Sequence, residues 1–474
     1  MVADLAHLAG HVLDEPFVAR GVFAHGMGVD PYPEAWGHIV GGHGFTTLAT
    51  MARPGEFPNV LLVTVDCLRR DRLSAYGYER QTTPFLDSIL DGALHCTSSH
   101  SAAPWTAPSV ASLFTGLYPH SHGAGLLAGE PKNLTRQNLP TSLAAAVPIL
   151  PELLPGYASA AFVGVWSAVL PLKGRLGEEH LMEEDAPRLV RAASKWMRAQ
   201  NGPFFCWIHL GDAHDPLDPP RRLRDIFGPV DHKAARRWGF TGRDDDVSTE
   251  AFARYSSDRI RLYDASVRGA DEAVAALWQG LEPTTRNRTI LAVTSDHGEE
   301  MWEHRDAELV GFADPRGVVG VGHGHNLFQV HLLVPLIIVG PGITPAAVDA
   351  NTSSVDVVPT ILEAAGIRAA LPALEGHSLL SIPDERPIVA EGIAYGQEKK
   401  TVILGNDKLL LSPLDGYERV FALGEDRTEA EENDDPGVLR SLRAHLPPDP
   451  GPLGDAVEAD DEVANHLRGL GYIE

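Results

Sequence analysis

Cysteine is scarce: Cys67, Cys96 and Cys206 are the only three in 474 residues. They stand far apart and form no Cys-x-x-Cys pair, which excludes a disulfide framework and a cysteine-built metal module; they read as reduced packing residues. Long hydrophobic runs are lacking as well. No stretch approaches the ~18 apolar residues of a membrane span. The opening MVADLAHLAGHVLDEPF has no basic region followed by an apolar one, so the expectation is a cytoplasmic chain without a leader. Positive charge is in deficit, with 39 Lys and Arg against 64 Asp and Glu and a net charge of -25. That balance argues against a protein that tracks nucleic-acid phosphates and against attraction to anionic membranes. An anionic substrate would need local cationic help. What remains is 44% hydrophobic and 22% charged, enough for one large domain with a sizeable core and a smaller one.

The apolar residues are not scattered. NVLLVTV (59–65), AAFVGV (160–165), PFFCWIHLG (203–211), TILAVTS (289–295) and VPLIIVGPG (334–342) are continuous apolar runs bounded by breakers. Between them lie TPFLDSILDGAL, APRLVRAASKWMRAQ and ARYSSDRIRLYDASVRGADEAVAALWQGL, the last with apolar residues at helical spacing. Apolar strands alternating with amphipathic helices predict an α/β fold: a largely parallel sheet, buried on both faces and sandwiched by helices. After about Pro383 the pattern changes to VILGNDKLLLS, YERVFAL, a charged run and the short helical SLRAHL and VANHLRGL. This predicts a small C-terminal α+β subdomain with antiparallel strands. The chain therefore divides into an N-terminal extension (1–56), a main domain (57–383) and the C-terminal subdomain (384–474), with no internal repeat.

Three of the runs end on acids: Asp66, Asp212 and Asp296, the last followed by His297. Ligands of open α/β sheets sit outside the carboxyl ends of the strands, so these residues point to one cleft. A single such Asp is ordinarily a turn or cap residue. Asp66, Asp296 and His297 together read differently, because buried like charges need a cation between them, and carboxylate plus imidazole is a common donor set for a divalent metal. Oxygen and nitrogen donors admit magnesium, manganese, calcium or zinc, as one ion or two. In APWTAPSVASLFTG, Pro108 sits in the first turn of a short helix and Gly116 ends it, with Thr106 at or just before the mouth. Alone, Thr106 reads as an N-cap. Beside a metal its hydroxyl becomes a nucleophile, and the helix N-terminus offers N–H groups to the same anion.

At these residues the chain resembles a known family. NVLLVTVDCLRRDRLSAYGYERQTTPFLDSI, PWTAPSVASLFTGLYPHSHG, TSDHGEEMWEH and GHGHNLFQVHLLVPLIIVGPG, in this order, are similar to the sulfatase-like branch of the alkaline phosphatase superfamily over roughly residues 57 to 365. NDKLLL and LRGLGYIE resemble its C-terminal subdomain. The resemblance implies that Asp66, Asp296 and His297 bind a divalent metal and that Thr106 faces it as nucleophile and ligand. It also implies that His214, in HLGDAHDP, and His323 or His325, in GHGH, contact the ester anion or a second metal. His120 and His122, in LYPHSHG, read as structural.

The departures narrow the chemistry. Sulfatases of this family carry a cysteine, or occasionally a serine, in a C/S-x-P-x-R motif that matures to formylglycine; here the motif is T-A-P-S-V, with Val110 in place of the arginine. Cys67 stands where many relatives have a second Asp, which removes a metal ligand. The lysine and histidine many sulfatases bring after the nucleophile helix are not evident in AAFVGVWSAV. A metal-bound threonine resembles the superfamily's phosphoester-cleaving and phosphoryl-transferring members. The expected activity is thus metal-dependent hydrolysis of a phosphate ester (phosphodiester, phosphonate ester or monoester). The alternatives are sulfuric ester hydrolysis without formylglycine, phospho-group transfer, and a catalytically silent binding protein that kept the fold. The expected partner is a small anionic ester, with no nucleic acid and no membrane span; a homo-oligomer is compatible with the composition. The insert at 221–248 holds several arginines that supply either the cationic help or a solvated surface.

Overall fold

NVLLVTV, leucine-rich and β-branched with no polar alternation, forms a strand whose seven residues are all buried in the computed structural model. The structure describes residues 57–469 apart from 127–130, 136–137, 183–185, 313, 368–372, 425–427, 430, 449–453, 456 and 458–460, so the expected extension 1–56 lies outside the described residues.

The main sheet has eight strands: β1 (Asn59–Val65), β2 (Leu94–Cys96), β3 (Ala158–Val163), β4 (Glu178–Leu181), β5 (Phe204–Leu210), β6 (Thr289–Thr294), β7 (Leu336–Val339) and β8 (Ala346–Val348). Their spatial order is β8-β2-β7-β6-β1-β5-β3-β4. All neighbours pair in parallel except β7, which runs antiparallel to both β6 and β2, so the largely parallel sheet expected from the sequence is present. Register places the site: Val65 pairs with Leu210 and Thr64 with Thr294, so β1, β5 and β6 finish at one edge.

Helices cover both faces. Alternate residues of β1 divide between them: Val60 and Leu62 join Val110 and Phe114 of α1 (Thr106–Thr115), while Leu61 and Val63 join Leu189 of α2 (Ala186–Arg198) and Leu262 of α3 (Glu250–Gln279). Helix α4 (Val357–Ala364) adds Val358 and Ile361 to the first of these cores. Each such fully buried side chain contributes about 1.5–3 kcal/mol through burial. Truncating Leu62 to Ala should cost about 2–5 kcal/mol because helices close both sides and leave little room to collapse.

The C-terminal part builds a five-stranded antiparallel sheet, β9 (Ile388–Glu391), β10 (Lys400–Leu404), β11 (Asp407–Ser412), β12 (Tyr417–Ala422) and β13 (Glu431–Glu432), in sequence order. Helix α5 (Pro436–Arg443) packs Leu442 against Val402 and Leu409. Helix α6 (Asp461–Gly469) does something else: Ala464 and Leu467 join Trp105, Ala107, Trp166 and Tyr395, so it packs beside the start of α1 and not on the antiparallel sheet. Among the described residues no helix is long and apolar enough to cross a membrane.

Candidate active site and metal centre

The first helical residue of α1 is Thr106, and the N-cap is Trp105, which makes no side-chain cap bond. The cap reading of Thr106 is therefore not what the structure has. Its side chain is buried, and Oγ1 lies 3.3 Å from His297 Nε2. Gly116, at φ 70°, ends the helix in the left-handed region as its sequence position predicts.

His297 explains the geometry around it. Its Nδ1 lies 2.8 Å from the Gly298 carbonyl, which makes Nδ1 the protonated nitrogen and leaves the lone pair on Nε2. That lone pair faces Asp66 Oδ1 at 3.5 Å and Asp296 Oδ2 at 3.4 Å, with Thr106 Oγ1 beside them. Asp296 Oδ1 accepts from the His297 backbone N–H at 2.9 Å, whereas the buried Oδ2 accepts no hydrogen bond. Among the described residues, the ion-pair partners of Asp66 and Asp296 are all histidines. Two buried carboxylates, an imidazole lone pair and a hydroxyl therefore converge with no fixed cation among them, which fits a divalent metal.

Beyond these four, β5 contributes His209 and the loop that follows it contributes His214. His209 joins Asp66 Oδ2 at 3.2 Å through Nε2 and Thr64 Oγ1 at 2.7 Å through Nδ1. Trp207 Nε1 donates to the same Thr64 oxygen at 2.9 Å, so the hydroxyl proton points to His209, whose own Nε2–H then steadies Asp66. Burial pushes the Asp66 carboxyl up, but the positive charge of His214 and the His209 bond outweigh this and hold it far below the usual carboxylate range. Asp296 goes the other way, raised by burial and then by the Asp66 charge. His214 is buried, with Nδ1 at 2.5 Å from the Asp215 carbonyl. Burial lowers its pKa, and the facing Asp66 and Glu299 carboxylates more than reverse that, for a net rise.

His323 approaches from the opposite wall. Its Nδ1 lies 3.2 Å from Glu299 Oε1 and 3.6 Å from Cys67 Sγ, and its ring centroid is 4.5 Å from that of His297. Burial lowers its pKa to about 4, while Glu299 is held at about 2, burial notwithstanding, by His323 and His214; at neutral pH a neutral imidazole donates to a carboxylate. A cavity of about 190 Å³ opens over His214, Glu299 and His323 and is bounded by Trp238, Arg316 and Tyr395. The Arg316 guanidinium stacks 3.6 Å over the Tyr395 ring and pairs with Asp314 at 2.7 Å.

Several expectations change here. His325 is not brought to the cluster: its Nε2 binds Glu308 at 2.8 Å. The reason is local, since Gly322 and Gly324 both hold positive φ around His323, and the two histidines, one residue apart, face different partners. Asp212 does not join either; its Oδ1 lies against Gly269 of α3. Cys67 is no plain packing residue, because its Sγ sits 3.1 Å from Asp66 Oδ1 inside the cluster. In the 221–248 insert, Arg222 pairs with Glu272, while Arg224 and Arg236 pair with Asp218; the cation at the cavity is Arg316, and the insert supplies Trp238. His120 and His122 make their contacts elsewhere, with Glu391 and Ser112. His209 and Glu299 were missed. A histidine inside the otherwise apolar FFCWIHL was the available signal, since a buried polar side chain there demands a partner.

The family model described as sulfatase matches residues 58–367. The ulvan-active sulfatase of Formosa agariphila is 24% identical over 363 residues, covering 68% of this chain and 64% of the relative. The choline-sulfatase of Rhizobium meliloti is 30% identical over 251 residues, 48% of this chain and 45% of the relative. This chain thus spans less than two thirds of the length of both curated relatives. Among solved structures, the phosphonate monoester hydrolase of Agrobacterium radiobacter superposes with a TM-score of 0.61 at 17% identity, covering 82% of this chain and 95% of that one.

Proposed function

Since the chain belongs to the sulfatase family, we propose that it is a metal-dependent hydrolase that uses Thr106 as nucleophile and cleaves a phosphate ester (a phosphodiester, phosphonate ester or monoester) in preference to a sulfate ester. The observation that carries this reading is the convergence of Thr106 Oγ1, the His297 Nε2 lone pair and the buried Asp296 Oδ2, which accepts no hydrogen bond. Asp66, Asp296, His297 and the Thr106 hydroxyl would hold the ion. When bound, a divalent cation supplies positive charge against the ester and makes a coordinated hydroxyl easier to deprotonate.

The chain's own groups account for the remaining steps. The Thr106 hydroxyl loses its proton to solvent, and its oxygen bonds to phosphorus as the bond to the leaving oxygen breaks, with the N–H groups of the α1 mouth facing the anion. His214, held by the Asp215 carbonyl and charged by Asp66 and Glu299, hands the departing oxygen a proton. His323, oriented by Glu299, contacts a nonbridging oxygen. Water then releases the phosphoryl group from Thr106. Preference for phosphorus follows from the nucleophile, because a threonine cannot expel sulfate by re-forming an aldehyde as a formylglycine hydrate does. The second reading, sulfate ester hydrolysis, is favoured by the names of the curated relatives, an ulvan-active sulfatase and a choline-sulfatase.

The test is turnover of aryl phosphate monoester, phosphodiester, phosphonate and sulfate by the purified chain, after chelation and return of one metal at a time. Thr106→Ala should lose activity by several orders of magnitude, and Thr106→Ser should keep part of it. The stability cost of alanine should be about 1 kcal/mol, one buried methyl and one long hydrogen bond, with no cap lost. Near-normal turnover by a folded Thr106→Ala protein would sink the proposal, and sulfate as best substrate would reverse the preference.

A further inference from the structure

Cys67, the second residue after β1, stands at φ 61°, in the left-handed region that a side chain rarely occupies. It is fixed there from both sides: the Tyr263 hydroxyl donates to its carbonyl at 2.6 Å, and the next backbone N–H, of Leu68, donates to Ser295 Oγ at 2.9 Å. The result is a fully buried thiol whose sulfur lies 3.1 Å from Asp66 Oδ1, 3.6 Å from His323 Nδ1 and 4.0 Å from His297 Nδ1. It belongs to two donor groups, one with His297 and His323 and one with Asp66 and His214, and in each the donor atoms all lie within 4.8 Å of one another. These overlap with the group of Asp66, Asp296 and His297, where the buried Asp296 Oδ2 accepts no hydrogen bond. Asp66 Oδ1, 3.1 Å from the sulfur, is also the oxygen that lies 3.5 Å from His297 Nε2, so the Cys67 thiol adjoins the group of Asp66, Asp296 and His297 through their shared carboxylate.

We propose that Cys67 is a metal ligand and that its sulfur makes the site select a thiophilic ion of the zinc class over magnesium or calcium. This builds on the reading of the cluster as a metal centre but not on any particular ester. The physical reason is ligand softness. A carboxylate in this place would complete an oxygen-rich set suited to hard cations, whereas sulfur beside imidazoles favours zinc and its neighbours in the first transition row. Substituting sulfur for oxygen thus does not delete a ligand; it changes which ion the same carboxylates and histidines retain. Cys96 and Cys206 are buried away from the cluster, in β2 and β5, so Cys67 is the one cysteine of the chain able to give the site a sulfur signature.

The experiment uses the full chain stripped with a chelator and reloaded with cobalt(II), which reports a thiolate ligand by charge-transfer absorption in the near ultraviolet. Wild type should show that absorption, and Cys67→Ser should lose it while still binding cobalt. Zinc should displace cobalt from wild type, whereas magnesium or calcium at the same concentration should not. Cys67→Asp should shift the zinc-to-magnesium affinity ratio toward magnesium by at least about tenfold, a change of the size expected when a ligand or its support is altered. Circular dichroism and melting curves of both variants establish that they are folded; if serine is not, aspartate carries the test. Absence of the thiolate band in wild-type cobalt protein, its persistence in Cys67→Ser, or an unchanged affinity ratio in Cys67→Asp would overturn the inference. Failure of the ester reading looks different: the thiolate band would be present while no ester is turned over.

Discussion

Asp296→Asn is the substitution whose effect should change sign with metal. In the metal-free protein the Asp296 carboxylate is buried, is pushed above its ordinary pKa of 3.8 by burial and by Asp66, and leaves Oδ2 without a hydrogen bond. A carboxyl whose folded pKa is raised destabilises the fold at every pH above that value, because ionising it costs more in the protein than in the unfolded chain. Asparagine keeps the Oδ1 acceptor for the His297 N–H and places an N–H₂ where Oδ2 stood, 3.4 Å from the His297 Nε2 lone pair. Relief of one buried unsatisfied acceptor is worth about 1–3 kcal/mol. At roughly 2.1 cal/mol/K of unfolding entropy per residue, a chain of this size should melt about 1–3 °C higher. With metal the order should reverse: wild type gains about 2.7 kcal/mol at a hundredfold excess over Kd, and the variant gains little. The assay is thermal unfolding at pH 7 in chelator and in excess magnesium, manganese, calcium and zinc separately, with elemental analysis of the protein. A variant that melts lower than wild type in chelator and retains the full metal-dependent rise would refute the reasoning.

Three further outcomes are expected. Mass spectrometry of the peptides holding Cys67, Cys96 and Cys206 should find free thiols throughout, and an aldehyde at any of them would contradict a threonine-based mechanism. His214→Gln should slow turnover of esters with poor leaving groups by about 10²- to 10⁴-fold, whereas His325→Gln, which breaks the buried 2.8 Å bond to Glu308, should lower the melting temperature and leave kcat near wild type. His120 bonds Glu391 at 2.6 Å and pairs with Glu375 at 3.3 Å, which raise its pKa from 6.5 to about 9 although burial opposes them. Its stabilisation should be complete below pH 6.5 and lost as pH rises to 9, about 1–2 kcal/mol after screening by solvent; the denaturant midpoint of His120→Gln should lack that decline.

The parts of the site legible in the sequence are those fixed by strand termini. Asp66, Asp296 and His297 follow apolar runs whose ends are set by breakers, and parallel register then aligns the ends without further information. Thr106 was legible as the start of a helix, though one residue's difference in where the helix begins separates a cap from a side chain facing His297. What stayed hidden depends on directions that spacing does not encode. GHGH offers two equivalent histidines until the glycines' positive φ values turn them to different partners. Cys67 looked like core because it adjoins an apolar strand, and only its left-handed backbone carries the sulfur into the cluster. Asp212 shows the converse: it ends an apolar run as Asp66 does, yet it sits against α3.

Helix α6 gives the site a schedule. His466 stacks on Trp166 with ring centroids 4.3 Å apart and accepts the Trp166 backbone N–H at 3.4 Å, a contact between residues 300 positions apart. Ala464 and Leu467 pack in the same cluster as Trp105 and Ala107, which flank Thr106. During synthesis at about 5–20 residues per second, the sheet and its strand-end acids are complete well before α6 exists. The wall behind Thr106 can therefore close only after nearly the whole described chain has been made, and a chain cut short before Asp461 would lack the Ala464 and Leu467 contacts that cover the side of the cluster beside Thr106.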